Sequence, residues 1–288
     1  MSSGNIDLWL KKAREERFAI GAFNAANIET FKAIVGAAKK MSSPVIIEAS
    51  HGEVEFIGGD NLVDLVKNAR EEMSLPIFTN LDHAPTVEDA MDGVDWGFDM
   101  IHYNGSKLSL KENVKNTKRV VEAVKGGGSV VEAEINPIVG ESAEHMQETA
   151  EEIQKQGEYT DPQEAEEFVK ETGVDILASF VGNLHGVYKT PPKIDVDRLK
   201  EIGKRVDCYL SLHGGSGIPD DQVKMAIERG VVKVNVNSEM RIIYRETLEK
   251  VLEKNDEVAI YKIMPEVINM VQGVVEKKIE LLGSKGKA

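Results

Sequence analysis

Three histidines occupy strong local contexts: Leu81-Asp82-His83, Asn183-Leu184-His185-Gly186-Val187-Tyr188-Lys189 and Leu212-His213-Gly214-Gly215-Ser216-Gly217. Each falls at the end of an apolar run that reads as a β-strand, where the backbone turns out of a hydrophobic layer. Three imidazoles gathered there can hold a divalent metal and leave a coordination position open. Imidazole is a borderline ligand, so zinc is the first choice, with cobalt, iron and manganese open. A lone histidine near a strand is more often packed than metal-bound; the joint occurrence carries the reading. The glycines after His185 and His213 present backbone N–H groups of the kind that cradle phosphate. Gly214-Gly215-Ser216-Gly217 runs into Ile218-Pro219-Asp220-Asp221, a helix start with proline near its first turn. Asn237-Ser238 opens another helix one unit later, and two neighbouring helix N-termini suit a phosphate.

His51, His102 and His145 lack such settings. His102 shares strand parity with Asn104, which places it one layer below the strand ends, in the core or supporting the site. Lys233, Asn235 and Asn237 share one strand face, as do Glu132 and Glu134. Glu132 and Lys233 then pair inside a barrel. The rival for Lys233 is Schiff-base chemistry, which would leave the histidine constellation without a task.

These residues need a scaffold that brings strand ends together. Strands are predicted near 18–24, 44–50, 76–82, 99–104, 129–135, 176–182, 208–213 and 232–237. Between them lie patterns of helical spacing, such as Leu62, Leu65 and Val66. Strand alternating with helix implies a parallel sheet, and about eight units over residues 1–288 imply one α/β domain, a (β/α)8 TIM barrel. A doubly wound open sheet is the alternative. Polar residues cluster at the strand ends: Asn24, Ser50, Asp82, His83, Asn104, Glu134, Asn183, His185, His213, Asn235 and Asn237. In a barrel that rim builds the active site. Residues 138–161 break the rhythm with a long acidic connection, partly helical in pattern, of a kind that often serves as a lid. The glycine-rich tail, 281–288, is expected to be mobile.

Composition narrows the partners. A net charge of −14 argues against nucleic acid and anionic membranes, and it requires local donors to capture an anionic substrate. The single cysteine, Cys208, excludes an intramolecular disulfide and suits a reducing cytoplasm. Lys11, Lys12, Arg14, Glu15, Glu16 and Arg17 interrupt the start of the chain, so a signal peptide is not expected. No apolar run reaches the roughly 18 residues of a membrane span.

With these motifs in place the sequence resembles the class II, metal-dependent ketose-bisphosphate aldolases, typified by those for fructose 1,6-bisphosphate and tagatose 1,6-bisphosphate. The matching stretches are GAFNAANIET (21–30), SPVIIEAS (43–50), LDHAPTVEDA (81–90), VEAEI (131–135), YTDPQEAEEFVKETGVDILA (159–178), VGNLHGVYK (181–189) and LSLHGGSGIPDDQVKMAIERGVVKVNVNSEMR (210–241), with LLGSKGKA closing the chain. The resemblance implies a homo-oligomeric barrel, a homodimer or homotetramer, using zinc and in some members a monovalent cation. It implies His83, His185 and His213 as metal ligands and Glu134 as an alternative or second-position ligand. Asp82 resembles the acid/base acting on the C4 hydroxyl. Gly186, Lys189, Gly215, Ser216, Asn237 and Ser238 match the pocket for the phosphate of dihydroxyacetone phosphate. Asn24, Ser50 and Asn235 match contacts to substrate oxygens.

Cleaving the C3–C4 bond leaves charge at C3, delocalised onto the C2 oxygen, which a Lewis acid stabilises. An acid must later protonate C3. The family's Gly-Gly-Glu-Glu-Asp loop, whose second glutamate handles that proton, aligns with Val139-Gly140-Glu141-Ser142-Ala143, so its position falls on Ser142. Glu141 or Glu144 is expected to substitute. The family's Asp in an Ile-Asp-Gly-Ser motif is Asn104, which cannot supply an anionic ligand. Two other classes compete. Metal-dependent barrel hydrolases place His-x-His on the first strand, where this chain has Phe23-Asn24-Ala25. A non-catalytic metabolite-binding barrel is the other alternative, motivated by Ser142 and Asn104.

Overall fold

In the computed structural model, which describes residues 4–288, every predicted apolar run becomes a strand. Ten strands occur among the described residues: β1 (Ile20–Asn24), β2 (Val45–Ser50), β3 (Ile77–Ala84), β4 (Met100–Tyr103), β5 (Val130–Glu134), β6 (Gly140–His145), β7 (Ile176–Ala178), β8 (His185–Tyr188), β9 (Tyr209–Leu212) and β10 (Val231–Val236). Eight of them close a barrel in the order β1-β10-β9-β7-β5-β4-β3-β2, all parallel, with helices between them. The open sheet is excluded.

Strand alternation sorts the side chains into layers. Ile20, Ala22, Ile46, Phe78, Met100, Val130, Ile176 and Val232 fill the lower barrel. The helix Ile6–Glu16 seals its floor: Ile6, Trp9, Leu10 and Ala13 recur at one helical face, and Asn5 caps the first turn through Leu8 N–H. The opposite strand faces, including Ile47, Leu81, Ile101, Val131, Leu177 and Val234, pack outward against the helices.

Above the apolar floor the same alternation brings in Glu48, Asn80, His102, Glu132 and Ser211, and a register shift between Val231 and Lys233 turns Lys233 inward as well, all buried. Lys233 Nζ donates to Glu132 Oε2 at 2.8 Å and to Asn235 Oδ1 at 2.7 Å, with Glu48 Oε2 at 3.6 Å. Lys233 is therefore one half of an ion pair inside the barrel, as strand parity implied. Burial of a charge is tolerated only with such partners.

Two features differ from the sequence reading. The long connection is not simply a partly helical excursion: β6 pairs in parallel with β8, and the five-residue helix Ala150–Gln154 follows, started by the Thr149–Glu152 capping box. Strand β7 correspondingly ends at Ala178, and the chain starts a new strand at His185. The tail is also tied down. Gly286 N–H donates to Met41 O at 2.9 Å, Ala288 N–H to Ser42 O at 3.0 Å, and buried Ser284 meets Ser43 Oγ at 2.9 Å. These partners lie far back in sequence, so composition alone could not reveal them.

Removing the cation from the buried pair tests this layer. Lys233→Met is expected to lower stability by about 3–5 kcal/mol, read from urea unfolding. A loss under about 1 kcal/mol would show that the pair is not holding the barrel together.

Candidate active site and metal centre

The rim encloses a cavity of about 170 Å³ lined by Asn24, Ser50, Asp82, His83, His185, Gly186, Gly214, Ser216, Asn235, Asn237 and Ser238, with Glu48, Ser142 and Arg241 beside them. Eleven of the sequence-predicted residues or their immediate neighbours thus converge from six different strands and the loops that follow them.

Asp82 and His83 present a geometric difficulty, because consecutive strand residues face opposite ways. The β3–β4 ladder slips between Leu81 and Ala84, so β3 carries one extra residue there. His83 takes up the irregularity with a left-handed backbone, φ 55°. For a residue other than glycine this costs of order 1–3 kcal/mol and persists only where neighbours enforce it. Both side chains consequently turn into the cavity.

His83 Nε2 and His213 Nδ1 stand 3.1 Å apart. Around a tetrahedral zinc with Zn–N bonds of about 2.0–2.1 Å, two ligand nitrogens are separated by roughly 3.3 Å. The donor spacing therefore fits a small divalent ion. Glu132 Oε1 lies 2.8 Å from His213 Nε2, and an ionised carboxylate there keeps the ring hydrogen on Nε2 and the lone pair on Nδ1. The side-chain amide of Asn104 meets His83 Nδ1 at 2.9 Å. Asn104 thus stands behind the ring and orients it. The His185 ring approaches His83 and His213 with centroids at 5.2 and 6.1 Å. The tightest set of ligand atoms, all within 4.8 Å, comprises Asp82, His83, His102 and His213, with His185 outside it. Glu134 closes β5 at the rim, its Oε1 accepting from Ser106 Oγ at 2.8 Å and its buried Oε2 unpartnered.

Electrostatics favour neutral imidazoles at His83, His185 and His213 beside a charged acid, whereas the Glu132 charge and the Asp82 contact outweigh burial and raise His102. Burial pushes His83 well below the usual histidine range and His185 down to about 4. It also lowers His213, against the pull of Glu132. Asp82 is buried too, but His83, His213 and His102 outweigh burial and hold its carboxyl far below the usual carboxylate range. Glu132 stays ionised because Lys233 and His213 overcome its desolvation. Burial raises Glu134 to about 7. Burial and the Asp82 charge raise Glu48 well above its ordinary value. Asn235 Nδ2 links these groups, donating to Glu48 Oε2 at 3.1 Å and Asp82 Oδ1 at 3.2 Å.

On the opposite side Gly186, Gly214, Ser216 and Ser238 gather at the N-terminus of the helix Ser238–Lys254. Four of the expected catalytic and substrate-binding residues do not line this cavity. Lys189 is exposed and lines no part of the cavity. Gly215 is buried beside it, its N–H already donated to Asn235 O at 2.8 Å. Glu141 and Glu144 are exposed on β6, while Ser142 between them lines the cavity. Strand alternation turns the neighbour of an inward residue outward, and a register shift follows before Glu144.

The structure adds residues that the sequence reading missed. Arg241 lines the cavity, donating to Glu53 Oε1 at 2.6 Å and Ser142 O at 3.2 Å. Glu53 Oε2 in turn accepts from Asn24 Nδ2 at 2.7 Å and Ser50 Oγ at 2.9 Å. Lys278 braces the glycine loop from behind, donating to Gly215 O at 3.2 Å and Glu239 Oε1 at 2.7 Å. A lysine on the apolar stripe Val267, Val271, Val275 was the available signal.

Comparison with known proteins decides the family. The family model described as fructose-bisphosphate aldolase class-II matches residues 5–287. The chain belongs to the class II fructose-bisphosphate aldolase family. It is 35% identical to the fructose-bisphosphate aldolase of Geobacillus stearothermophilus, over 100% of this chain and 99% of that one. It is 33% identical to the sulfofructosephosphate aldolase of Alkalicoccus urumqiensis, over 97% and 96%. Among solved structures the YdjI aldolase of Escherichia coli K12 superposes with a TM-score of 0.85 at 29% identity, covering 99% of both chains. As a class II aldolase the protein is a carbon–carbon lyase, and the two departures from the family pattern, Ser142 and Asn104, now have positions: one on the cavity wall, one behind His83.

The raised Glu48 yields a signed pH prediction. The folded protein keeps this proton above pH 4.5, the ordinary value, where the unfolded chain releases it. The native state then binds more protons, so stability falls as pH rises through that window. Glu48→Gln mimics the neutral acid and removes the loss. Urea unfolding in chelator should show equal stabilities below about pH 4.5 and a gain for Glu48→Gln of about 1.4 kcal/mol per pH unit above it. A difference independent of pH would refute the assignment.

Proposed function

We propose that the protein reversibly cleaves a ketose bisphosphate, fructose 1,6-bisphosphate first and tagatose 1,6-bisphosphate or another phosphorylated ketose second, to dihydroxyacetone phosphate and an aldehyde. The observation that carries this reading is the cavity lined by Asp82, His83 and His185, with buried His213 directly behind, its Nδ1 3.1 Å from His83 Nε2, against a wall of glycine and serine residues. The spread of activities named for its relatives supports an aldolase without fixing the sugar.

His83, His185 and His213 would hold the divalent ion, zinc by preference, with Glu134 as a further ligand. That ion supplies Lewis-acid polarisation of the substrate carbonyl. Asp82 takes the proton of the C4 hydroxyl, the C3–C4 bond breaks, and the electron pair moves toward the C2 oxygen; an acid then delivers a proton to C3, completing dihydroxyacetone phosphate, and Asp82 returns its own proton to solvent. Its charge, held by Asn235 and flanked by neutral imidazoles, suits it to act as the base. Gly186, Ser216, Asn237 and Ser238 receive the phosphate at a helix N-terminus, which supplies the positive potential that an acidic protein otherwise lacks. Asn24, Ser50 and Asn235 contact substrate oxygens.

A cytoplasmic homodimer acting in carbohydrate breakdown such as glycolysis completes the proposal. The absence of any helix long and apolar enough to cross a membrane, among the described residues, is consistent with it. So is the exposed apolar cluster Leu252, Val258, Ile260 and Tyr261 at the turn between the last two long helices, which a second copy could cover.

A panel of ketose bisphosphates assayed for dihydroxyacetone phosphate tests the reading. Cleavage should vanish on exhaustive chelation and return with Zn²⁺, and His213→Ala should lose metal binding and activity together. Asp82→Asn should keep the metal while kcat falls by about 10²–10⁴. Activity that survives chelation and is trapped by borohydride would replace this mechanism with lysine chemistry. No cleavage by metal-loaded protein would favour the non-catalytic barrel.

A further inference from the structure

The bulge that turns Asp82 and His83 inward together needs something to hold it. A bulge takes its extra residue out of the strand ladder. Leu81 pairs with Ile101 and Ala84 with Tyr103, so the residue facing the irregularity across β4 is His102. Its Nδ1 lies 3.2 Å from the His83 backbone nitrogen. A backbone N–H can only donate, so His102 Nδ1 presents its lone pair and the ring hydrogen sits on Nε2. That Nε2 is buried with no partner, and Asp82 Oδ1 stands farther from Nδ1, at 3.4 Å. The ring is fully buried, packed against the His83 and His213 rings at centroid distances of 4.3 and 4.8 Å.

His102 also belongs to the compact group of potential ligands. Ligation through Nδ1 would require the lone pair that the His83 amide already occupies. With Nε2 unpartnered, the His83 N–H is the shorter of the ring's two polar contacts, Asp82 Oδ1 being the other.

We infer that His102 is a positioning residue, whose Nδ1 holds the His83 N–H and thereby fixes the bulge that delivers Asp82 and His83 to the cavity as a unit. What those two residues then do rests on the aldolase reading; the hydrogen bond itself does not. Volume and acceptor can be separated by substitution. His102→Leu fills the space without an acceptor. His102→Asn places a carbonyl oxygen near the Nδ1 position. His102→Gln carries its amide past it.

The test uses the full-length protein in two measurements. Amide hydrogen exchange of His83 is followed by NMR in metal-free protein, and zinc affinity is read by competition with a chromophoric chelator, alongside kcat and KM. For His102→Leu and His102→Gln the His83 amide should exchange at least about tenfold faster. Zinc affinity should fall on the order of 10–100-fold, with kcat reduced more than KM is changed. His102→Asn should restore both readouts to within several-fold of wild type. The inference is overturned if His102→Asn is as impaired as His102→Gln, or if His102→Leu exchanges and binds like wild type. Should His102→Leu fail to fold, the Asn and Gln pair decides alone. If the wild-type protein cleaves no sugar phosphate, the exchange rates in metal-free protein still decide this point separately.

Discussion

The Glu132 carboxylate is the interaction on which the rest of this barrel depends. One oxygen accepts from Lys233 and the other meets His213 Nε2, both at 2.8 Å, so a single ionised group ties β5 to β10 and β9. In the barrel interior a lone carboxylate would protonate, because desolvation penalises the charged form. Lys233 prevents this, and Glu132 in return keeps Lys233 charged. The consequence reaches the rim. Only an ionised Glu132 fixes the His213 hydrogen on Nε2 and exposes the Nδ1 lone pair toward His83. Fold stability and the readiness of the donor set therefore rest on the same buried pair, and neither can be altered alone.

The cavity's other wall solves a different electrostatic problem. With 49 acidic against 35 basic residues the overall field repels phosphate. In the proposed phosphate pocket capture would then come from short-range dipoles, of the kind that a helix N-terminus with adjoining glycine loops supplies without a mobile cation. The loop is itself shaped by ion pairing: Gly217 N–H donates to Glu239 Oε1, and Lys278 binds both that oxygen and Gly215 O. Lys278 thus balances a carboxylate that would otherwise stand against an incoming anion.

Much of this was readable from residue order. The eight strands stand out because each is a short, largely apolar run bounded by turn-forming or polar residues, and parity alone paired Glu132 with Lys233 and set His102 one layer down. What escaped depends on distant chain. Gly140–His145 has no apolar periodicity and becomes a strand only because His185–Tyr188 is there to pair with it. The tail is ordered by carbonyls of Met41 and Ser42. The bulge at His83 has no glycine to announce it, since the left-handed residue is a histidine that the neighbouring strand restrains. Glu141 and Glu144 were favoured by the family resemblance of their loop, but it is Ser142 that strand alternation turns to the cavity wall.

The cavity mouth shows how these separate loops become one device. Arg241, from the helix after β10, reaches both Glu53 beyond β2 and the Ser142 carbonyl on β6. Glu53 is held by Asn24 and Ser50, the two side chains otherwise free to meet substrate oxygens. An anion drawn to the guanidinium must compete with Glu53, and any loosening of Glu53 releases Asn24 and Ser50 at the same time. The contacts at β1, β2 and the β6 excursion are therefore coupled through one arginine.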